Sequence, residues 1–377
     1  MQEKTAPQPE LARVAPPQPD YLNLHEFVAK ARQNLNQNHW DYIVGAAETE
    51  TTLRRNRMAL DSIAFRPRIL CDVSKVDASV GLFGQKLRLP VMFAPVGSLE
   101  VFNPDGAASV VRGAHAFGVA HMLSSVCEPP MEQVAEAAPE AARIFQLYVR
   151  GDDAFIDDHL KRAVDCGCKA FAFTVDTALY SRRERDLAKR YQTAGRRRVE
   201  GRHFQAALDW KTIKRVKAQF KIPLIIKGIA TAEDAKLAVE HGVEWVYISN
   251  HGGRQLDHGR GTMDVLPEVV DAVGGKAKIL IDGGFCRGSD IVKAIALGAD
   301  LVGMGRMQCY ALAANGQAGI ERMLELLEDE VQRSLGMVGV SSFAELKRSH
   351  LHLGAPVVTP PHVLSAFPLL KLEDWRY

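Results

Sequence analysis

The chain has 377 residues, 47% hydrophobic and 24% charged, an ordinary globular balance. Lys plus Arg number 47 against 45 Asp plus Glu, a formal net charge of +2, which excludes the marked basic excess of a dedicated nucleic-acid binder. No apolar run approaches the ~18 residues of a membrane-spanning helix, and the opening MQEKTAPQPELARVAPPQPD lacks the apolar core of a signal peptide, so a cytoplasmic protein is expected.

Residues 1–20, rich in Pro, Gln and Glu, are expected to be a disordered tail. Residues 21–65 read as a helical cap, with Phe27, Ala31, Leu35, Trp40, Ile43, Val44, Leu53 and Leu60 at helical spacings. Residues 66–377 carry a different rhythm. Eight short apolar runs, at 90–95, 119–125, 143–149, 170–176, 223–228, 245–250, 278–284 and 300–306, alternate with amphipathic stretches. Several of those stretches close on a glycine suited to a helix C-cap: Gly118, Gly167, Gly242 and Gly298. Buried strands alternating with helices predict a parallel sheet, and eight such units predict an α/β fold of the (β/α)₈ TIM barrel type. The interval after the fourth run is the longest. Its basic excess, residues 182–208, reads as a surface insert or an active-site lid that buries little and stays mobile.

Cys71, Cys127, Cys166, Cys168, Cys286 and Cys309 are scattered, with one C-x-C pair, and are expected to be reduced thiols. His350 and His352 form an H-x-H without further ligand groups nearby, and no metal site is expected.

Barrel chemistry sits at the C-terminal ends of the strands. Those ends carry Ser124, Gln146 and Tyr148, Thr174 and Asp176, Lys227, Ser249 with His251 and Arg254, Asp282 with Gly283 and Gly284, and Gly305 with Arg306. Polar groups inside apolar strands cost desolvation unless paired. Their recurrence at seven of the eight strand ends points to one ligand site. The glycines after the seventh and eighth runs, with Arg306, suit a phosphate cradle. No G-x-G-x-x-G dinucleotide fingerprint follows the first run. His251, flanked by Gly252 and Gly253, is the natural general base, and Asp176 is placed to support it. Arg183 and Arg254 suit a substrate carboxylate.

SNHGGRQLD (249–257), IKGI (226–229), TVDT (174–177), FQLY (145–148) and DGGFCRGSD (282–290) strongly resemble the FMN-dependent α-hydroxy-acid oxidases and dehydrogenases, a family that includes glycolate oxidase, lactate oxidase and mandelate dehydrogenase. The resemblance runs from about Leu24 to Leu353 and implies a (β/α)₈ barrel with a helical cap. It implies an FMN enzyme that oxidises an (S)-2-hydroxy acid to a 2-keto acid. His251 would be the base, supported by Asp176, with Arg183 and Arg254 on the carboxylate and Tyr42 and Tyr148 hydrogen-bonding the substrate. Lys227 would face the flavin N1–C2 carbonyl. Ala94, Pro95, Val96 and Gly97 would present backbone to the flavin. Ser124, Gln146, Thr174 and Ser249 would bind the ring and ribityl groups. Asp282, Gly283, Gly284, Gly305 and Arg306 would hold the ribityl chain and phosphate. The acceptor would be O₂, a quinone or a protein, and the assembly a homo-oligomer, tetramer or octamer. A different carboxylate substrate, such as an amino acid or a peptide-derived or carrier-linked intermediate, is the alternative.

Three departures stand out. Glycolate-oxidase-like members carry arginine where this chain has Cys286, so one phosphate contact is expected to be lost or to be supplied by Arg287. They carry an aromatic where Val126 stands, and many have alanine at Gly97. A wider pocket and a substrate larger than glycolate are expected.

Overall fold

A computed structural model describes residues 20–193, 200–354 and 366–367. The tail expected at 1–20 lies outside the described residues as far as residue 19. The eight apolar runs form a closed barrel of parallel strands: β1 (Val91–Phe93), β2 (Ala120–Ser124), β3 (Arg143–Leu147), β4 (Ala170–Thr174), β5 (Leu224–Ile229), β6 (Trp245–Ile248), β7 (Lys278–Ile281) and β8 (Leu301–Met304). Strand neighbours follow chain order, and β8 closes on β1 through Val302↔Val91. The fold is therefore the TIM barrel expected from the sequence.

The strands read as continuous apolar runs because both faces are buried. Their side chains alternate between two cores. Phe171 and Phe173 of β4 face the outer layer of helices, while Ala170 and Ala172 face inward. The inner core holds Met92, Met122, Ile144, Ile225, Tyr247, Leu280 and Leu301. A hairpin, Val80–Leu82 paired with Gln85–Leu87, belongs to this inner core, with Phe83 stacked on Trp245 at 4.8 Å. Trp245 opens β6, so the hairpin plugs the barrel at the N-terminal ends of the strands. The opposite mouth holds the polar strand ends.

The N-terminal cap comprises α1 (Leu24–Asn34), α2 (Gln37–Val44) and α3 (Thr51–Asp61). Asn23 caps α1 by accepting from the Glu26 amide, and Asn36 caps α2 by accepting from the His39 amide. Two helices matter most on the barrel itself. These are α4 (Gly288–Ala296) and the long α5 (Arg306–Val338), which is kinked at Asn315 and Gly316. The first helix packs along this last one. Ile63–Phe65 pairs antiparallel with Leu351–Leu353, closing the cap against the end of the barrel. Such three-residue strands are too short to leave a periodic signal.

The basic insert differs from expectation. It carries the short helices Glu184–Ala188 and Arg202–Ala206, and residues 194–199 of the expected lid lie outside the described residues. Its first half docks on the cap. Arg185 grips Glu50 at 2.7 and 2.8 Å, Lys189 pairs with Asp41, and the Glu48 amide donates to the Arg182 carbonyl. The partners lie far upstream in the chain, so local composition made the segment look solvated.

Candidate active site

The barrel mouth opens into a cavity of about 1130 Å³, open solvent included. Tyr42, Tyr148, Arg183, Lys227, His251, Arg254, Asp282, Gly283, Gly284, Gly305 and Arg306 all line it, as do Ala94, Pro95, Val96 and Gly97.

His251 follows β6 on a short 3₁₀ turn, His251–Gly253. Its own φ is 59°, a left-handed conformation that costs a residue with a Cβ and needs enforcement. The enforcement is visible. The His251 amide donates to Ser249 Oγ at 3.1 Å, and Asn250 Oδ1 accepts from the Gly253 amide at 3.2 Å. Asn250 also exchanges two amide hydrogen bonds with Asn56 of α3, at 2.7 and 2.9 Å. The imidazole is thereby locked to the cap.

Asp176, just past β4, lies 3.1 and 3.2 Å from His251 Nδ1. A carboxylate only accepts, so Nδ1 carries the proton of the neutral ring and Nε2 is the free lone pair. Tyr148 Oη stands 3.3 Å from Nε2. Gly228, on the bulge of β5, makes room for Asp176: its φ is 117°, and a Cβ there would approach the Asp176 amide to 2.8 Å. Burial and the Lys227 ammonium hold the His251 imidazole below the ordinary histidine range, against the opposing pull of Asp176. Burial alone would raise the Asp176 carboxyl, but His251 and Lys227 outweigh it and hold it below the usual carboxylate range. The pair is a neutral imidazole beside a charged carboxylate.

Arg254 donates through Nη1 to the Tyr42 and Gly45 carbonyls at 2.7 and 2.8 Å, and its guanidinium lies 4.9 Å from the Tyr42 ring centre. Burial and the neighbouring Arg183 push it down to about 9. Arg183 Nε is buried without a partner. Two guanidinium groups on one cavity wall suit an anion. Tyr42 Oη donates to the Gly97 carbonyl at 3.3 Å.

On the barrel floor, Lys227 Nζ donates to Ser249 Oγ at 3.0 Å, and Ser249 Oγ donates to Asp282 Oδ1 at 2.6 Å. Ser124 and Gln146 are register partners at the ends of β2 and β3, as are Thr174 and Lys227 on β4 and β5. Ser124, Gln146, Thr174 and Ser249 are buried at these strand ends, outside the cavity wall itself. Both polar atoms of Gln146 and the Thr174 hydroxyl are buried with no partner. At the far end, a Cβ on Gly305 would meet nothing within 4 Å. That open space lies at the N-terminus of α5, where helix amides and the helix dipole favour an anion. Unpaired donors and acceptors at strand ends, a buried ammonium and an anion cradle fit a flavin mononucleotide.

A family model described as FMN-dependent dehydrogenase matches residues 31–353. The chain belongs to the FMN-dependent dehydrogenase family. Glycolate oxidase 3 of Arabidopsis thaliana is 37% identical over 369 residues, spanning 92% of this chain and 99% of the relative. A peroxisomal (S)-2-hydroxy-acid oxidase of Oryza sativa subsp. japonica is 39% identical over 350 residues, 88% of this chain and 95% of the relative. The crystal structure of mandelate oxidase with (S)-2-phenylpropionate superposes with a TM-score of 0.83 at 36% identity, covering 89% of this chain and all of that one. FMN is the cofactor of the family, and among the described residues no helix is long and apolar enough to cross a membrane.

Cys286 lines the cavity as a buried thiol pushed up to about 12 by burial. Arg287, expected as a phosphate contact in place of position 286, does not line the cavity: Nη2 pairs with Glu330 at 2.5 Å and Nη1 donates to the Ala366 carbonyl. The backbone turn into α4 points that side chain outward. Arg306 does line the cavity, with its guanidinium donating to the Ile43, Gly45 and Gly252 carbonyls. The sequence reading missed Arg57, whose buried guanidinium grips Asp290 at two 2.8 Å contacts and also donates to the Gly284 carbonyl. It also missed Tyr247, whose hydroxyl in an apolar strand was the available signal.

Proposed function

We propose that this chain oxidises an (S)-2-hydroxy acid to the 2-keto acid, with His251 Nε2 taking up a proton released in the reaction. The observation that carries the assignment is the Asp176–His251–Tyr148 relay facing two guanidinium groups across one cavity. Arg183 and Arg254 hold the substrate carboxylate, which fixes the hydroxyl-bearing carbon near Nε2. Tyr42 and Tyr148 position the substrate, and Asp176 stabilises the imidazolium once the proton has moved. Lys227 holds positive charge at the flavin's pyrimidine end. Gln146, Thr174, Ser124 and Ser249 supply donors and acceptors to the ring and ribityl groups. Asp282, Gly283, Gly284, Gly305 and Arg306 hold the ribityl chain and phosphate. Ala94 to Gly97 place backbone against the flavin. FMN, when bound, accepts the two electrons.

Val126 lines the substrate side of the cavity, and a Cβ on Gly97 would approach its Cγ2 to 2.8 Å. Neither residue carries a bulky side chain, and that leaves room in the cavity for a substrate larger than glycolate. Transfer of electrons onward to O₂, a quinone or a protein, a cytoplasmic setting and a homo-oligomeric assembly complete the reading.

The test is anaerobic bleaching of the yellow protein by glycolate, lactate, a long-chain 2-hydroxy acid and mandelate. Bleaching is expected, fastest with the bulkier acids. Bleaching by an amino acid alone would favour the alternative carboxylate, and glycolate as the best substrate would overturn the wide-pocket reading.

A further inference from the structure

The inner core of the barrel contains one tyrosine among its aliphatic and aromatic side chains, Tyr247 of β6. A buried phenol costs desolvation unless its hydroxyl finds a partner. Tyr247 is fully buried, and its hydroxyl donates to Asp282 Oδ2 at 2.9 Å. The other oxygen of Asp282 accepts from Ser249 Oγ at 2.6 Å. Ser249 Oγ in turn accepts from Lys227 Nζ at 3.0 Å and from the His251 amide at 3.1 Å. That hydroxyl has one hydrogen to give and two lone pairs, and all three are used. Lys227 Nζ also lies 5.4 Å from the centre of the Tyr247 ring, within cation–π range.

Tyr247 itself does not line the cavity, whereas Asp282 and Lys227 do. The phenol is thus a strut beneath the two charged groups of the floor. The fold makes a specific allowance for it. A Cβ on Gly303 of β8 would overlap the Tyr247 hydroxyl, so the missing side chain at 303 is the space the hydroxyl occupies.

We propose that Tyr247 is a positioning residue that sets how strongly Lys227 stabilises negative charge on the flavin. This rests on the reading that Lys227 faces the pyrimidine end of FMN. The Tyr247 hydroxyl satisfies one oxygen of a buried carboxylate and keeps Asp282 from drawing the ammonium toward itself. Tyr247→Phe keeps the ring and removes that donor. Asp282 Oδ2 then lacks its phenolic partner, and Lys227, one hydroxyl away through Ser249, is the cation drawn across. Its distance from the flavin grows.

Sulfite reports this without turnover. It adds reversibly to oxidised flavin, bleaches the visible band and leaves negative charge on the ring. Its Kd, titrated on the purified FMN-loaded protein, is expected to rise about ten-fold in Tyr247→Phe, the scale of one lost hydrogen bond to a charged group. The midpoint potential of the bound FMN is expected to fall. Gly303→Ala displaces the hydroxyl with the tyrosine intact and should weaken sulfite in the same direction. Combined with Tyr247→Phe it should add little, because the two changes remove one interaction. A sulfite Kd and potential unchanged in Tyr247→Phe, even with a lowered Tm, would reduce Tyr247 to a packing residue and overturn the proposal. Fully additive effects of the two substitutions would overturn it as well. If the unaltered protein formed no sulfite adduct and no 2-hydroxy acid bleached it, the proposed function would fall and this inference with it.

Discussion

Asp176→Asn probes the proposed base, His251, most directly. The two Asp176 oxygens lie 3.1 and 3.2 Å from His251 Nδ1, in a site where both groups are buried. When His251 takes a proton, this contact becomes a charge-assisted hydrogen bond. Such bonds contribute roughly 1.5–3 kcal/mol, so a loss of about 2 kcal/mol corresponds to about thirty-fold in the rate of flavin reduction. Asparagine can also donate to Nδ1 and so favour the tautomer that blocks Nε2, which deepens the loss. The pH profile carries a second, signed expectation. Burial and Lys227 lower the His251 pKa, while Asp176 raises it. The proposed mechanism needs the neutral imidazole, so activity is expected above that pKa and is lost as pH falls through it. Removing Asp176 removes the raising influence, and the acid limb moves to lower pH while the plateau drops. Anaerobic stopped-flow reduction of the FMN band across the acid and neutral range reads both quantities. A wild-type plateau, or an acid limb moved upward, would refute the pairing of Asp176 with the base.

Three further outcomes follow from the same geometry. His251→Gln should keep the yellow colour and slow substrate reduction by ~10²–10⁴-fold, measured in the same stopped-flow assay. A methyl ester should lose roughly 1.5–3 kcal/mol of binding relative to its free acid, because Arg183 and Arg254 then lack an anion; equal kcat/KM for the two would contradict that role. Arg57→Ala should destabilise by about 3–5 kcal/mol in urea titrations, since it strands the buried Asp290. Burial would raise the Asp290 carboxyl, yet Arg57 holds it below the usual range, so its contribution is present above the unfolded pKa and lost as pH falls through the folded one. Without Arg57 the burial effect dominates and the penalty is relieved by protonation. The stability gap between variant and parent should therefore narrow in acid.

The barrel was legible because strands buried on both faces leave uninterrupted apolar runs, and the site was legible because barrels gather polar residues at one end of every strand. His251 and Asp176 are far apart in the chain, but each terminates a recognisable strand. Arg287 misled because charge and position in sequence say nothing of direction. The turn leading into α4 sends its guanidinium to Glu330. Tyr247 was passed over for the opposite reason. Inside WVYISN it reads as one more bulky strand residue, and only the closed barrel brings Asp282 to its hydroxyl. The docking of Arg185 on Glu50 was hidden by the distance between them in the chain.

The contact between the first and last helices bears on the order in which this enzyme is made. Tyr21 Oη reaches the Ala314 carbonyl and Asn34 donates to Ala313, contacts that span most of the chain. The cap emerges from the ribosome first, yet the surface it covers is among the last to be synthesised. Until then its apolar face, including Phe27, Val28 and Ala31, has no partner to cover it. A nascent chain halted before Arg306 would hold most of the proposed catalytic side chains but lack the helix against which the first cap helix packs.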